Sequence, residues 1–333
     1  MTGRTVVATT DLPFDAAAWW RLEAIVAPDS LLKVERTDRV AFTDALDNAE
    51  IAILGSDLDE RVLAAPRLKW VHVNIAGMDG SARPELFERG IIVTGAAGRS
   101  APALAEHAMM FMLALNADLR GFEAAQRAHR WGGIEGMRQL RALYGQTLGI
   151  IGVGATGREL ALRAKAFGMA VLGYRRRDDA PPPGFDRIYA ADRGESIAPI
   201  LEQSDFIVLA VNLSDATHHL IDADALARMK PNAILVNLSR GGVVDEAALA
   251  EALYARRIRG AGLDVFDIEP LPADNPLWDA PNTMISPHFS ASVHDRLQRT
   301  LAIIEENFRR YRAGEAMLNA MTPEDVFTKD AAR

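Results

Sequence analysis

Short, continuous hydrophobic runs alternate along the chain with longer segments in which apolar residues recur at helical spacing. The runs predict strands at Thr5–Thr10, Glu50–Leu54, Leu68–Val73 and Ile91–Thr94, and then at Leu148–Gly152, Ala170–Tyr174, Phe206–Val211, Ala233–Asn237, Gly262–Val265 and Thr283–Ser286. This alternation is typical of βα units and parallel sheets. Because the later runs are apolar throughout, they indicate strands that helices cover on both faces. The pattern therefore predicts an α/β fold with two doubly wound parallel sheets.

One long helical pattern separates the two series of strands, from about Pro102 to Arg127. Proline near the first turn suits a helix start. Its first half is apolar nearly all round, so we expect it to be buried on most sides or to lie in a subunit interface. This helix therefore predicts a two-fold homodimer.

Composition narrows the class of protein. The chain has 333 residues, of which 49% are hydrophobic and 25% charged, as expected for two globular domains. The absence of cysteine excludes disulfides, thiolate-bound metals and thiol catalysis. A net charge of −8 disfavours nucleic acid or an anionic membrane as partner. With no secretory signal and no apolar run of membrane-spanning length, we expect a cytoplasmic protein.

The histidines predict no metal site. No H-E-x-x-H motif occurs, and His218 and His219 are adjacent, so on a strand or helix they would point in different directions.

A glycine-rich segment follows the first strand of the second series. Residues 152–157 read GVGATG, a G-x-G-x-x-G motif between an apolar run and a helical pattern, and this context predicts a dinucleotide site. The first glycine permits a tight turn, the second lets the backbone approach a pyrophosphate, and the third lets helix and strand pack closely. N–H groups at the helix N-terminus would hold the pyrophosphate. The predicted cofactor-binding residues here are Gly152, Gly154, Ala155, Thr156 and Gly157.

The residues after the next strand select between the two nicotinamide cofactors. An acidic side chain at this point would bond the ribose 2′-hydroxyl of NAD. This chain instead has Arg175, Arg176 and Arg177, and guanidinium groups suit the 2′-phosphate of NADP. We therefore predict NADP, with NAD as the alternative because Asp178 and Asp179 follow directly.

Polar side chains follow three later strands, in segments 237–245 (NLSRGGVVD), 263–270 (LDVFDIEP) and 286–290 (SPHFS). Ligands of open α/β sheets bind at such carboxyl ends of strands. Arg240, Glu269 and His288 are the candidate side chains in these three segments. Asp245 is expected to be a helix N-cap rather than a catalytic residue.

These motifs and their order resemble those of the D-isomer-specific 2-hydroxyacid dehydrogenases, and the resemblance covers nearly the whole chain. The matching segments are GVGATG from Gly152, NLSRGGVVDEAAL from Asn237, LDVFDIEPLP from Leu263 and SPHFS from Ser286. We accordingly expect two Rossmann-like domains with a cleft between them. Residues 1–99 and 293–333 would form a flavodoxin-like substrate-binding domain, and residues 100–292 the NAD(P)-binding domain.

The resemblance also implies roles for single residues. Arg240 would hold the substrate carboxylate and polarise the 2-oxo group, while His288 would be the general acid in reduction and the base in the reverse direction. Glu269 would hydrogen-bond the imidazole and stabilise its protonated form. The resemblance further implies that Leu238 and Asp264 contact the cofactor. It also implies that the backbone of Ile75, Ala76 and Gly77 binds the substrate carboxylate.

The expected activity is NADPH-dependent reduction of a small 2-oxo acid, of the glyoxylate or hydroxypyruvate type, to the 2-hydroxy acid. One alternative is an NAD-dependent dehydrogenase of the same family with a bulkier or phosphorylated substrate. It would need extra basic residues in the substrate loop, which the sequence does not show. The other alternative is a cofactor-sensing binding protein similar to the family's corepressors, which can keep the same arginine, glutamate and histidine.

Overall fold

A computed structural model describes residues 3–132, 140–290 and 292–328. The chain divides into two compact units. The first unit comprises the described parts of Met1–Arg99, Ser214–Ala216 and Val293–Arg333. The second unit comprises the described parts of Ser100–Leu213 and Thr217–Ser292. The short piece at 214–216 belongs with the first unit because Asp215 bonds its C-terminal segment. The Asp215 N–H donates to the Val326 carbonyl (3.1 Å), and its carboxylate accepts from the Thr328 N–H (2.9 Å).

The first unit is built on a parallel sheet of five strands in the order β2-β1-β3-β4-β5. Its strands are β1 (Thr5–Thr9), β2 (Ser30–Val34), β3 (Ile51–Leu54), β4 (Trp70–Val73) and β5 (Ile92–Gly95). Its helices are α1 (Ala16–Val26), α2 (Arg39–Asn48), α3 (Glu60–Ala64), α4 (Pro84–Glu88) and the long α11 (Arg296–Ala313). Hydrophobic clusters on both faces of this sheet show that it is covered on both sides.

The second unit is built on a parallel sheet of seven strands in the order β12-β11-β10-β9-β6-β7-β8. The strands are β6 (Thr147–Ile151), β7 (Ala170–Arg175), β8 (Arg187–Ala190), β9 (Phe206–Leu209), β10 (Ile234–Asn237), β11 (Gly260–Leu263) and β12 (Thr283–Ile285). The helices are α5 (Ala101–Asn116), α6 (Leu119–Arg127), α7 (Ala155–Ala166), α8 (Ala198–Gln203), α9 (Ala223–Arg228) and α10 (Glu246–Tyr254). The strand order reverses between β6 and β9, and such a switch point is where doubly wound sheets bind ligands.

These two sheets confirm the predicted α/β class with doubly wound parallel sheets. Strands β9, β10 and β11 are buried at every residue, as the continuous apolar runs of the second series indicated. In the first sheet, β3 and β4 are buried at every residue as well. No described helix has both the length and the apolar character needed to cross a bilayer.

The structure corrects the prediction of one helix over 102–127. Helix α5 ends at Asn116, and α6 begins at Leu119. Asp118 between them has a left-handed backbone (φ 54°), and its carboxylate accepts from the Gly121 N–H at 3.2 Å, which caps the second helix. The local side-chain-to-backbone bond therefore starts a new helix where apolar periodicity alone suggested continuation.

Candidate active site

The glycine motif forms a turn in which side chains are excluded at two of its three glycines. Gly152 has a φ of 110°, and a Cβ there would lie 2.2 Å from the Ala210 carbonyl oxygen. A Cβ on Gly157 would lie 2.2 Å from the Gly152 carbonyl oxygen, so this glycine permits close packing of α7 on the turn. At Gly154, by contrast, no atom of the described ranges lies within 4 Å of an added Cβ. The middle glycine therefore faces open space through which a ligand can approach the backbone.

The N-terminus of α7 offers free donors at this open space. The backbone N–H groups of Gly154, Ala155 and Thr156 donate to no acceptor among the residues that the structure describes. Unsatisfied N–H groups and the helix dipole together favour an anion at this end. The turn thus fits the pyrophosphate of a dinucleotide, which these residues would hold.

At the end of β7, the three predicted arginines have different surroundings. The Arg175 guanidinium donates to the carbonyls of Asp179 and Ala180, whereas Arg176 and Arg177 are exposed. Asp178, which could otherwise serve a ribose hydroxyl, is ion-paired with Arg193. The basic character of this strand end is therefore retained in the fold, and the first acidic side chain after the arginines is engaged by Arg193.

Two of the predicted catalytic residues are in direct contact. The His288 Nδ1 lies 2.7 Å from the Glu269 Oε2, and the other Glu269 oxygen accepts from the Phe266 N–H at 2.9 Å. The carboxylate is thus fixed by the backbone of its own loop. The His288 side chain remains 47% exposed and that of Glu269 35% exposed, so the pair is accessible. Because Nδ1 is used by the carboxylate, Nε2 is the imidazole nitrogen left for a reacting group.

Arg240 is presented by a turn that packs against the Glu269 loop. The Asn237 side chain holds this turn, since its amide donates to the Arg240 carbonyl (2.9 Å) and its Oδ1 accepts from the Ser239 N–H (3.0 Å). Gly241 allows this turn to approach the Glu269 loop closely, because a Cβ there would lie 2.0 Å from the Phe266 carbonyl carbon. The Arg240 Nη1 donates to the Ser239 carbonyl at 2.8 Å. The structure therefore places Arg240 on a turn braced by the loop that carries Glu269.

Asp264 is the centre of a buried polar network. Its Oδ1 accepts from the Ser286 hydroxyl (2.5 Å) and the Phe289 N–H (2.9 Å), and the Ser286 oxygen lies 2.9 Å from the His107 Nε2. The sequence nominated Asp264 but assigned no role to Ser286 or His107. Ser286 belongs to the SPHFS motif, which was the available signal. This network fixes Asp264 and the backbone next to His288.

Leu238, another predicted cofactor contact, has its side chain in the core of the second unit. A cofactor contact at this position would therefore come from the backbone. Asp245 is confirmed as a helix N-cap, since its carboxylate accepts from the Ala248 N–H at 3.0 Å.

Glu246 supports the Glu269 loop from α10. Its carboxylate accepts from the Asp267 N–H at 2.6 Å and from the Asn275 amide at 3.2 Å. Burial raises the pKa of Glu246, and the nearby carboxylates of Asp267 and Glu269 raise it further. This acid is therefore a bracing group behind the loop.

The predicted carboxylate-binding residues lie in the first unit, on the loop after β4. Ile75 and Gly77 are half-buried, and Ala76 is exposed. The backbone N–H groups of all three donate to none of the residues in the described ranges. Three successive free donors on an accessible loop suit an anion such as a carboxylate.

The described residues contain no group of three or more histidine, aspartate or glutamate side chains arranged to hold a metal ion. The expectation that His218 and His219 point apart is wrong. Their rings stack with centroids 3.9 Å apart, because they lie in a turn where His219 has a φ of 51°.

A glycine-rich turn that fits a dinucleotide and an imidazole–carboxylate pair occur in one α/β unit. Together they define an NAD(P)-dependent oxidoreductase with two parallel-sheet units.

Comparison with known proteins narrows this class. Residues 109–290 match the family described as D-isomer specific 2-hydroxyacid dehydrogenase, NAD binding domain. The glyoxylate/hydroxypyruvate reductase B of Pectobacterium carotovorum is 36% identical over 313 residues, covering 90% of this chain and 96% of that protein. The D-3-phosphoglycerate dehydrogenase of Methanocaldococcus jannaschii is 34% identical over 301 residues, covering 89% of this chain and 55% of that protein.

Solved structures show the same architecture. A D-isomer specific 2-hydroxyacid dehydrogenase from Xanthobacter autotrophicus Py2, in complex with NADPH and MES, superimposes with a TM-score of 0.77 at 27% identity. The match covers 97% of this chain and 99% of that one. The chain belongs to the D-isomer specific 2-hydroxyacid dehydrogenase family, as its motifs predicted.

Proposed function

We propose that this protein reduces small 2-oxo acids, of the glyoxylate or hydroxypyruvate type, to 2-hydroxy acids with NADPH. The observation that carries the proposal is the 2.7 Å contact between the His288 Nδ1 and the Glu269 carboxylate on accessible loops. A carboxylate at Nδ1 orients the ring and leaves Nε2 as the nitrogen that can donate a proton. The similarity to a glyoxylate/hydroxypyruvate reductase supports this substrate class.

Each residue has a distinct part in the proposed reaction. The nicotinamide cofactor, when bound, supplies a hydride to the substrate carbonyl carbon. The backbone N–H groups of Ile75–Gly77 and the Arg240 guanidinium hold the carboxylate, and Arg240 also polarises the 2-oxo group. His288 donates a proton from Nε2 to the carbonyl oxygen, which completes the alcohol. Glu269 holds the imidazole in place through its contact with Nδ1.

We further propose a preference for NADPH over NADH. Arg176 and Arg177 are exposed at the end of β7, and Asp178 is paired with Arg193 rather than available to a ribose hydroxyl. Guanidinium groups attract a 2′-phosphate, whereas an acidic residue would repel it. The relative from Xanthobacter autotrophicus Py2 was crystallised with NADPH, which agrees with this preference.

The proposed activity is tested by following nicotinamide absorbance with glyoxylate, hydroxypyruvate and pyruvate, each with NADPH and with NADH. We expect turnover with NADPH, and a loss of at least about 100-fold in kcat for His288→Ala with cofactor binding retained. A His288→Ala variant near the wild-type rate would show that another group transfers the proton. Cofactor binding without turnover of any 2-oxo acid would favour the cofactor-sensing alternative.

The cofactor preference is tested with Arg176→Ser combined with Arg177→Ser. We expect the KM for NADPH to rise while that for NADH changes little. Arg163→Ser is the matched control, because Arg163 lies on α7 and pairs with Glu159 and Glu106 instead. Equal changes for the two cofactors would contradict the assignment.

A second candidate function is an NAD-dependent dehydrogenase acting on a phosphorylated 2-oxo acid. The 34% identity to a D-3-phosphoglycerate dehydrogenase favours it. Phosphohydroxypyruvate in the same assay decides between the candidates. A much higher kcat/KM for this substrate with NADH would replace the first proposal.

A further inference from the structure

An arginine outside the matched motifs lies directly behind the loop that carries Ile75–Gly77. Arg99 is only 8% exposed, and its Nη1 donates to the Asn74 Oδ1 at 2.7 Å. Asn74 is itself 2% exposed and immediately precedes Ile75. The guanidinium is therefore attached to the residue from which this loop begins.

The loop and the segment leading to Arg99 are packed together at a second point. The Ala96 N–H donates to the Ile75 carbonyl at 2.9 Å. A Cβ on Gly95 would lie 2.0 Å from the Met78 sulfur and 3.0 Å from the Ile75 carbonyl oxygen. This close packing holds the position of Arg99 relative to the three free backbone donors.

The charge of Arg99 has no carboxylate partner in the described part of the chain, where no acidic oxygen lies within 4.0 Å of it. Its hydrogen-bond acceptor, the Asn74 side chain, is neutral. A buried charge without a counter-charge is costly, and a bound anion would reduce that cost.

A second guanidinium adds to the positive potential. Arg296 is exposed in the first turn of α11, a helix of 18 residues, and its charge acts on Arg99. Burial, together with repulsion from Arg296, lowers the pKa of Arg99 to about 10. Arg99 therefore keeps its charge at neutral pH. The nearest acidic group on this helix end, Asp295, is paired with Arg299.

We propose that Arg99, assisted by Arg296, makes the Ile75–Gly77 loop a receptor for the substrate carboxylate by supplying the positive charge that its backbone donors lack. Arg99 acts through Asn74 and through its field, so it is a positioning residue rather than a catalytic one. The inference rests on the proposed function for the identity of the anion, a 2-oxo acid. It adds a second source of carboxylate affinity that belongs to the first unit and is separate from Arg240.

Binding is measured by calorimetry with oxamate, a non-reacting analogue of a small 2-oxo acid, on the full-length protein with NADPH present. We expect Arg99→Met to weaken oxamate binding by about tenfold or more, in line with loss of a charge-assisted interaction. Arg99→Lys should restore part of the affinity because it keeps the charge. Arg296→Gln, an exposed position, should weaken binding in the same direction even if Arg99→Met fails to fold. Arg309→Gln near the C-terminal end of the same helix is the matched control, because Arg309 pairs with Glu306 and Glu315 instead.

A purely mechanical role for Arg99 makes a different prediction, which kinetics with glyoxylate and its neutral ethyl ester can detect. Loss of positive charge should raise KM for the anionic acid far more than for the ester. A bracing role alone would affect both substrates alike, and that result would overturn the proposal. Oxamate affinity unchanged in both Arg99→Met and Arg296→Gln, or no oxamate binding by the wild type, would also overturn it. Oxamate binding that depends on Arg99, without turnover of any 2-oxo acid, would refute the proposed reaction but not this anion receptor.

Discussion

Acid is expected to destabilise the first unit through one buried histidine. His72 lies on β4 with no exposed surface, and its Nδ1 is 3.1 Å from the Thr94 hydroxyl oxygen, which also accepts from the Trp70 indole. The His72 Nε2 has no hydrogen-bond partner among the residues that the structure describes. Burial, and secondarily the charge of Arg99, lower the pKa of His72 to about 3. The native state therefore keeps this imidazole neutral.

The direction of the pH effect follows from linkage. The unfolded chain binds a proton at His72 near the ordinary pKa of 6.5, whereas the native chain binds it only near 3. Stability is therefore complete above pH 6.5 and declines as the pH falls from 6.5 towards 3. At pH 4.5 the loss attributable to His72 is about 3 kcal/mol, since each pH unit below 6.5 corresponds to about 1.36 kcal/mol. Replacing His72 with leucine removes the titrating group and should remove this part of the acid sensitivity.

Hydrogen exchange followed by mass spectrometry measures the loss of stability within the first unit, where His72 lies. We expect protection factors for peptides spanning β4 and β5 to fall between pH 7 and pH 4.5 in the wild type. In His72→Leu the fall should be smaller by a factor of about 100, the equivalent of the calculated free energy. Peptides from β9 and β10 in the second unit are the internal control and should respond alike in both proteins. An equal pH response of β4 in both proteins would refute the reasoning.

Three other predictions follow from the geometry. Gly157→Ala should destabilise the second unit by about 1–3 kcal/mol, because the new Cβ would overlap the Gly152 carbonyl oxygen. Gly154→Ala should fold normally but bind the cofactor weakly, because its Cβ would occupy the space through which the cofactor approaches. Thermal unfolding and cofactor titration test this pair, and similar effects of the two changes on both readouts would contradict it. Ser286→Ala should lower kcat by about tenfold, since Asp264 loses a hydrogen bond in the network that fixes the backbone next to His288. Steady-state rates equal to the wild type would argue against that role. Met110 and Leu113 are 45% and 43% exposed on one face of α5, so changing both to glutamate should convert the predicted dimer into a monomer by light scattering. A wild-type protein that is already monomeric would disprove the predicted dimer.

Local patterns in the sequence predicted ten of the twelve strands of the described chain. The two strands that they did not predict both lie at a sheet edge. Strands β2 (SLLKV) and β8 (RIYA) each lie at an edge of their sheet. Each pairs on one side only and exposes part of its residues. An edge strand need not be a continuous apolar run, so hydrophobicity marks it weakly. Its pairing is decided by the neighbouring strand.

The candidate site was predictable to the extent that it is encoded in short motifs. The glycine spacing of 152–157 reflects steric requirements of a single turn, and the structure shows them at Gly152 and Gly157. Glu269 and His288 were nominated separately from motifs 19 positions apart. Their contact depends on β11 and β12 being adjacent in the sheet, which no local pattern specifies.

The amino-acid sequence by itself determined the α/β class, the dinucleotide turn, the family and the residue types suited to the chemistry. Each of these depends on periodicity or spacing within a few residues, and local sterics and hydrogen bonding act over that range. Only the tertiary structure decided that Arg99 is hydrogen-bonded to Asn74, that His72 is buried, and that Ser286 and His107 lie beside Asp264. These properties depend on burial and on neighbours from distant segments. Solvation and charge–charge energies are set by such neighbours, so they arise only when the chain is packed.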